Sequence, residues 1–245
     1  VMGMSPYGQP NYIEKIEKVI NIDYSTGEYS LNMDYFDYHR SIERSYSNEF
    51  LKLFGEARVP DAEFVTLGTN PELKTETAVM KQNQYYADIA ASIQHVTEEA
   101  LIAILKELHK RTGLNKVVMA GGVALNTKAN WRLLNETPFD EIFIQPAAGD
   151  DGGALGAALW AYHMLEGKPR VEKKMPHSYW GKEYSDAECK AFLDEKGIKY
   201  ESFEDKPEAL VDVIVDEMAN NQMVVGLHQG RFEWGPRALG NRSIL

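Results

Sequence analysis

The sequence predicts an α/β protein, and three observations carry that prediction. The stretch from Gln84 to Thr112 places apolar residues at Ile89, Ile93, Val96, Ala100, Ile104 and Leu108, the three-to-four spacing of one buried helical face. Two β-rich runs, Lys116 to Ala120 and Glu141 to Ile144, each lead into a glycine-bearing turn and then a helix start. The resulting order is helix, strand, helix, strand, helix, which leaves room for a parallel pairing of the two strands.

Taken in order, the N-terminal 60 residues are rich in turns and aromatics. Met4 to Gly8 reads as a turn, Tyr12 to Ile20 as a short helix, and Tyr29 to Asn32 as a short strand after the Thr26-Gly27 turn. The tyrosines between Tyr35 and Tyr46 read as packing residues of an irregular layer. Lys110, Arg111 and Gly113 stop the long helix. After the first glycine turn a helix is predicted over Thr127 to Leu134, and after the second a small-residue helix over Gly152 to Leu165. Composition then shifts to a basic, proline-containing stretch, Gly167-Lys168-Pro169-Arg170 through Lys173-Lys174-Met175-Pro176. It divides the chain into residues 1–166, a linker over 167–178 and a second module over 179–245. In that module Ser185 and Glu188 form a capping box for a helix ending at Lys196. Pro207 to Asn220 is a further helix with Leu210, Ile214 and Met218 on one face, and Met223 to His228 is expected as a buried strand.

Bulk properties narrow the function classes. The chain has 245 residues, ample for one large domain or two smaller ones, and its 44% hydrophobic content with 11% aromatics excludes a disordered chain. A formal net charge of −11 argues against nonspecific nucleic-acid binding. The single cysteine, Cys189, cannot form an intrachain disulfide, and nothing resembles a secretory signal. No apolar run approaches the roughly 20 residues of a membrane span, so a cytoplasmic protein without membrane partners is expected. The chain starts at Val1 without an initiator methionine and stops at Leu245 inside a motif-like run, which reads as a piece of a longer enzyme.

The two glycine turns carry the chemistry. Val117 to Asn126 contains Gly121 and Gly122, and Gln145 to Gly153 contains Gly149, Asp150 and Asp151. Glycine lets backbone amides approach a phosphate, and a following helix N-terminus adds a favourable dipole. Two such turns close together suggest one nucleotide site and an ATP-handling enzyme. Asn126 is either a helix cap or a nucleotide contact. Asp150 and Asp151 either cap a helix dipole or offer carboxylate oxygen to a hard cation or iron beside phosphates. The six histidines include no pair at the spacing of a helical metal clamp, and His228 alone stands near a candidate site. The C-terminal run from Gln229 to Ser243 sets Arg231, Arg237 and Arg242 among glycines and proline. Planar guanidinium groups on such a backbone suit bidentate contacts to phosphate or carboxylate.

These blocks together resemble the O-carbamoyltransferases of nodulation-factor and antibiotic-tailoring pathways. The resemblance rests on residues 1–8, 88–94, 121–126, 145–159 and 229–245, in family order over nearly the whole chain. It implies that residues 1–166 are the second half of an actin/sugar-kinase/Hsp70-type ATPase domain, and that 179–245 open a threonylcarbamoyl-adenylate-synthase-like domain. In such enzymes the second domain makes carbamoyl adenylate and pyrophosphate from ATP and carbamoyl phosphate. The first transfers the carbamoyl group to an acceptor hydroxyl, with a bound metal, generally iron, while magnesium accompanies ATP.

Carried onto this sequence, Gly121, Gly122, Asn126, Gly149 and Asp151 would contact the nucleotide, and Asp150 would be a metal ligand. Arg231, Arg237 and Arg242, with Ser243, would hold carbamoyl phosphate or the ATP phosphates. The family's metal-binding histidine pair belongs to a half of the first domain that has no counterpart here, so this chain by itself is expected to be inactive. A sugar-kinase-like ATPase and a non-catalytic nucleotide-binding module are the alternatives.

Overall fold

A computed structural model describes residues 1–70, 72, 75–171 and 175–245. The expected mixed α/β character is present, as helices and, among the described residues, three two-stranded sheets. The chain divides into two compact units, one made of Val1–Met119 and Val123–Phe143, the other of Ala120–Gly122 and Ile144–Leu245. Of the linker expected over 167–178, residues 172–174 lie outside the described residues.

The first unit is organised by one long helix. Helix α1 (Ile13–Val19) leads directly into β1 (Ile20–Ile22), which pairs antiparallel with β2 (Tyr29–Leu31); α2 (Asn48–Phe54) follows. Ile20, expected at the end of the preceding helix, has an extended backbone and pairs with Leu31, which places it in the strand. Helix α3 runs over Ala78–Thr112, starting six residues before the predicted Gln84. Its start is fixed by Thr77, whose hydroxyl accepts the Met80 N–H at 3.2 Å. The apolar stripe is only part of what it buries. Ile89, Ile93 and Val96 pack with Ile16, Val19 and Phe54, whereas Ile102 and Leu105 turn to a second cluster with Val117, Leu133 and Phe139. Leu108, expected on the buried face, is 39% exposed. The tyrosine-rich segment is mixed, with Tyr35 packed on the first cluster and Tyr38 exposed.

Strand β3 (Lys116–Met119), helix α4 (Thr127–Glu136) and strand β4 (Glu141–Ile144) form a strand–helix–strand crossover. The Asp140 N–H donates to the Asn115 carbonyl at one end of the strand pair, and the Gly121 N–H donates to the Ala148 carbonyl just past the other. The strands therefore run in the same direction.

The second unit holds α5 (Gly152–Trp160), α6 (Asp186–Lys196), α7 (Pro207–Ala219) and the antiparallel pair β5 (Gly226–His228) and β6 (Arg242–Ile244). Helix α6 has the expected Ser185–Glu188 capping box. The last part of the predicted 152–165 helix widens into a π-helical turn at Ala161–Leu165. Burial departs most from expectation here. None of α5, α6 and α7 contains a buried residue, although α5 is apolar almost throughout. The buried strand expected over Met223 to His228 is shorter and largely exposed, with Met223 and Val224 open to solvent. An amphipathic pattern encodes which face is apolar, and burial also requires a second layer over it.

Candidate anion and nucleotide site

Within the second unit the two glycine turns meet. Gly121 has φ of +101°, a conformation that favours glycine, and its N–H donates to the Ala148 carbonyl at 2.7 Å. Ala147 and Ala148 are buried beneath this junction. Gly122 opens a short 3-10 turn, Gly122–Leu125. The second turn closes by Gly152 N–H to Gly149 carbonyl and Gly153 N–H to Asp150 carbonyl bonds, both 3.1 Å. Asp151 stands at the N-cap of α5, but its side chain makes no capping hydrogen bond, and Asp150 beside it is exposed. Among the described residues no three His, Cys, Asp or Glu side chains gather as a metal-holding group. Asp150 thus supplies one carboxylate, which by itself does not fit a metal centre.

The arginine run lies against the second turn. Gly235 has φ of +100°, and a Cβ on it would fall well inside contact distance of the Pro146 carbonyl oxygen. Both neighbours of this contact carry a buried polar atom that lacks a hydrogen-bond partner among the described residues, Gln145 Oε1 and Trp234 Nε1. Beside it, Glu233 organises the loop. Its Oε1 accepts the N–H groups of Leu239 (2.9 Å), Asn241 (2.8 Å) and Arg242 (3.0 Å), and its Oε2 accepts from Arg242 Nε at 2.6 Å. Burial works to raise the Glu233 pKa, but the backbone donors and the Arg242 guanidinium outweigh it and hold the carboxyl far below the usual range.

The three arginines are placed differently. Arg242 sits on β6 opposite His228, with its guanidinium over the Phe232 ring and on Glu233. Arg231 pairs with Glu183 at 3.1 Å and lines an open cleft of about 590 Å³ with His177, Tyr179 and Trp180. Arg237 is exposed, in the stretch between Gly235 and Gly240. Ser243 is half-buried on β6 opposite Leu227, and the His228 ring packs 4.7 Å from that of Phe232.

Asn126 lies in the first unit, where its carboxamide is already engaged. Its Oδ1 caps α4 by accepting the Ala129 N–H at 3.1 Å and also accepts from Gln94 Nε2, while its Nδ2 donates to Gln94 Oε1 at 2.9 Å. A nucleotide contact is open to it through the second Nδ2 hydrogen. Gln94 is fully buried and donates to Glu98 Oε1 at 2.6 Å. Glu98, also buried, accepts from Arg132 at 3.0 Å. The Glu136 carboxylate, followed by Glu99 and Glu98, raises the pKa of Arg132 further, so it is a permanent cation in this network.

Comparison with known proteins shows the family to which the chain belongs. The family model for the carbamoyltransferase N-terminus matches residues 1–159, and that for the carbamoyltransferase C-terminus matches residues 215–245. This chain belongs to the carbamoyltransferase family. An uncharacterized protein of Synechocystis, sll1178, is 38% identical over 251 residues, covering 100% of this chain and 37% of the relative. Nodulation protein NolO of Bradyrhizobium diazoefficiens is 32% identical over 250 residues, covering 100% of this chain and 39% of the relative. Nodulation protein NolNO of Sinorhizobium fredii is 38% identical over 169 residues, covering 68% of this chain and 24% of the relative. The chain thus spans well under half the length of these relatives.

In this carbamoyltransferase-family chain the glycine turns fall in the N-terminal match and the arginine run in the C-terminal one. Segments 120–122, 145–153 and 229–245 share the second unit. In the first unit Asp88 accepts the Gln9 N–H and the Asn11 amide, and Gln84 donates to the Tyr7 carbonyl, so the N-terminal block is tied to α3. Gln94 and Glu233 lie inside the blocks that carry the family resemblance but had no role assigned to them, and Glu98 and Arg132 did not emerge from the sequence. A single carboxylate inside an arginine-rich run is the signal that marks Glu233. Among the described residues no helix is long and apolar enough to cross a membrane.

Proposed function

We propose that the protein carrying this chain transfers a carbamoyl group to a hydroxyl of a small-molecule or sugar acceptor. In this reading water first splits carbamoyl phosphate into carbamate and inorganic phosphate, and a carbamate oxygen then attacks the α-phosphorus of ATP, forming carbamoyl adenylate as pyrophosphate leaves. The observation that carries it is the junction of the second glycine turn with the arginine run, at Pro146 and Gly235, two blocks that a simple ATPase has no need to join. The orphaned Trp234 Nε1 and Gln145 Oε1 on either side of it offer a donor and an acceptor to a polar ligand.

The chain's own groups have defined tasks in this scheme. Arg231 and Arg237 neutralise phosphate charge, and the glycine backbone around Gly121, Gly122 and Gly149 lets a nucleotide approach closely. AMP is then a good leaving group when the acceptor oxygen attacks the carbamoyl carbon. The kinase-type fold of residues 1–166 belongs to the same proposal, and no step is drawn through a metal. The test is product analysis with the full-length protein. Pyrophosphate and AMP should form from ATP only when carbamoyl phosphate is present, and should be lost in Arg237→Ala. Formation of ADP would favour a sugar-kinase-like ATPase, and no turnover with retained ATP binding would favour a nucleotide-binding module.

A further inference from the structure

The Glu233 side chain has no exposed surface, although it stands in a run dominated by arginine. Peptide N–H groups converging on one oxygen are how a backbone concavity holds a bound anion. Here the anion is the chain's own carboxylate, and residues 239, 241 and 242 are all tied back to residue 233. The stretch between, with Gly235, Pro236 and Gly240, is thereby closed at its base. Arg242 takes part in that closure. Its Nε serves Glu233 Oε2, and its Nη2 reaches the Glu233 and Gly235 carbonyls at 3.5 and 3.4 Å.

We infer that Glu233 is a positioning residue for anion binding by the arginine run, and that Arg242 is its brace rather than an anion contact. The inference rests on the reading of this run as a phosphate site. Two physical arguments support it. A phosphate held directly by Arg242 would sit beside an ionised, enclosed carboxylate, and like charges at that range repel strongly. A loop already ordered by Glu233 meets its conformational cost on folding rather than on binding.

The substitution E233Q is nearly isosteric, keeps an acceptor for the N–H groups and removes the charge that holds Arg242. Carbamoyl phosphate binding would be measured by calorimetry on the intact protein, with amide hydrogen exchange followed over residues 234–242. Expected is weakening on the order of 10–100-fold, the usual cost of losing a residue that orients a ligand contact, together with faster exchange at Leu239, Asn241 and Arg242. R242K, which keeps the charge without the fork, should behave alike. If Arg242 touched the anion itself, E233Q would release it and remove a repelling charge, so binding as tight as or tighter than in the unaltered protein overturns the inference. Unchanged exchange at those three N–H groups overturns the closure. Absence of binding by the unaltered protein would instead overturn the phosphate-site reading, and this inference with it.

Discussion

Replacing Gln94 by leucine tests whether the buried polar network, rather than apolar packing, joins α3 to α4. The side chain is fully enclosed, so leucine can occupy its volume. The substitution deletes the 2.6 Å bond to Glu98, a charge-assisted hydrogen bond contributing about 1.5–3 kcal/mol. It also deletes the reciprocal pair with Asn126, about 0.5–1.5 kcal/mol per bond. Asn126 is only half-buried and regains part of that from water. Burying the leucine offsets about 1.5–3 kcal/mol. The net loss is then about 1–3 kcal/mol, because Glu98 retains Arg132 but loses its closest partner. Urea unfolding followed by far-UV circular dichroism gives the change directly. The decisive comparison is the double-mutant cycle with Asn126→Ala, which should be non-additive by about 1 kcal/mol or more. A loss under about 0.5 kcal/mol with additive behaviour would refute the reasoning.

Two further predictions concern the arginine loop. Gly235→Ala must place a side chain at φ +100° against the Pro146 carbonyl, so it should lose at least the roughly 1–2 kcal/mol of left-handed strain, read as a lower thermal midpoint with an altered Trp234 fluorescence. The lowered pKa of Glu233 makes its stabilisation fully present above the ordinary value of 4.5 and lost progressively as pH falls below it; acid titration of loop order should show this, and the same titration of Glu233→Gln should be flatter. A profile identical in both proteins would remove Glu233 as the source.

The parts legible in the sequence were those encoded locally. β4, the capping box of α6 and the strand–helix–strand order follow from short patterns that need no tertiary partner. Helix α2 was missed because it is a single short amphipathic stretch, although Ser47 caps it through Glu49 and Phe50 N–H bonds. The early start of α3 depends on a methionine in the position where a capping box usually has a carboxylate or amide, and sulfur gives no sequence signal there. In the second unit, periodicity marked the apolar faces of α7 and β5 but could not say that little lies over them. The candidate site divided in the same way. Glycines and arginines announce themselves by type, whereas Glu233, Gln94 and Glu98 are ordinary polar residues whose roles arise from neighbours distant in sequence.

Helix α5 has a bearing on how closely a second layer can pack. Its sequence, GGALGAALW, contains no charged residue, and none of it is buried. Its glycines and alanines leave the helix backbone close to the surface, so a layer packed on α5 would approach that backbone more closely than it could a helix of larger side chains.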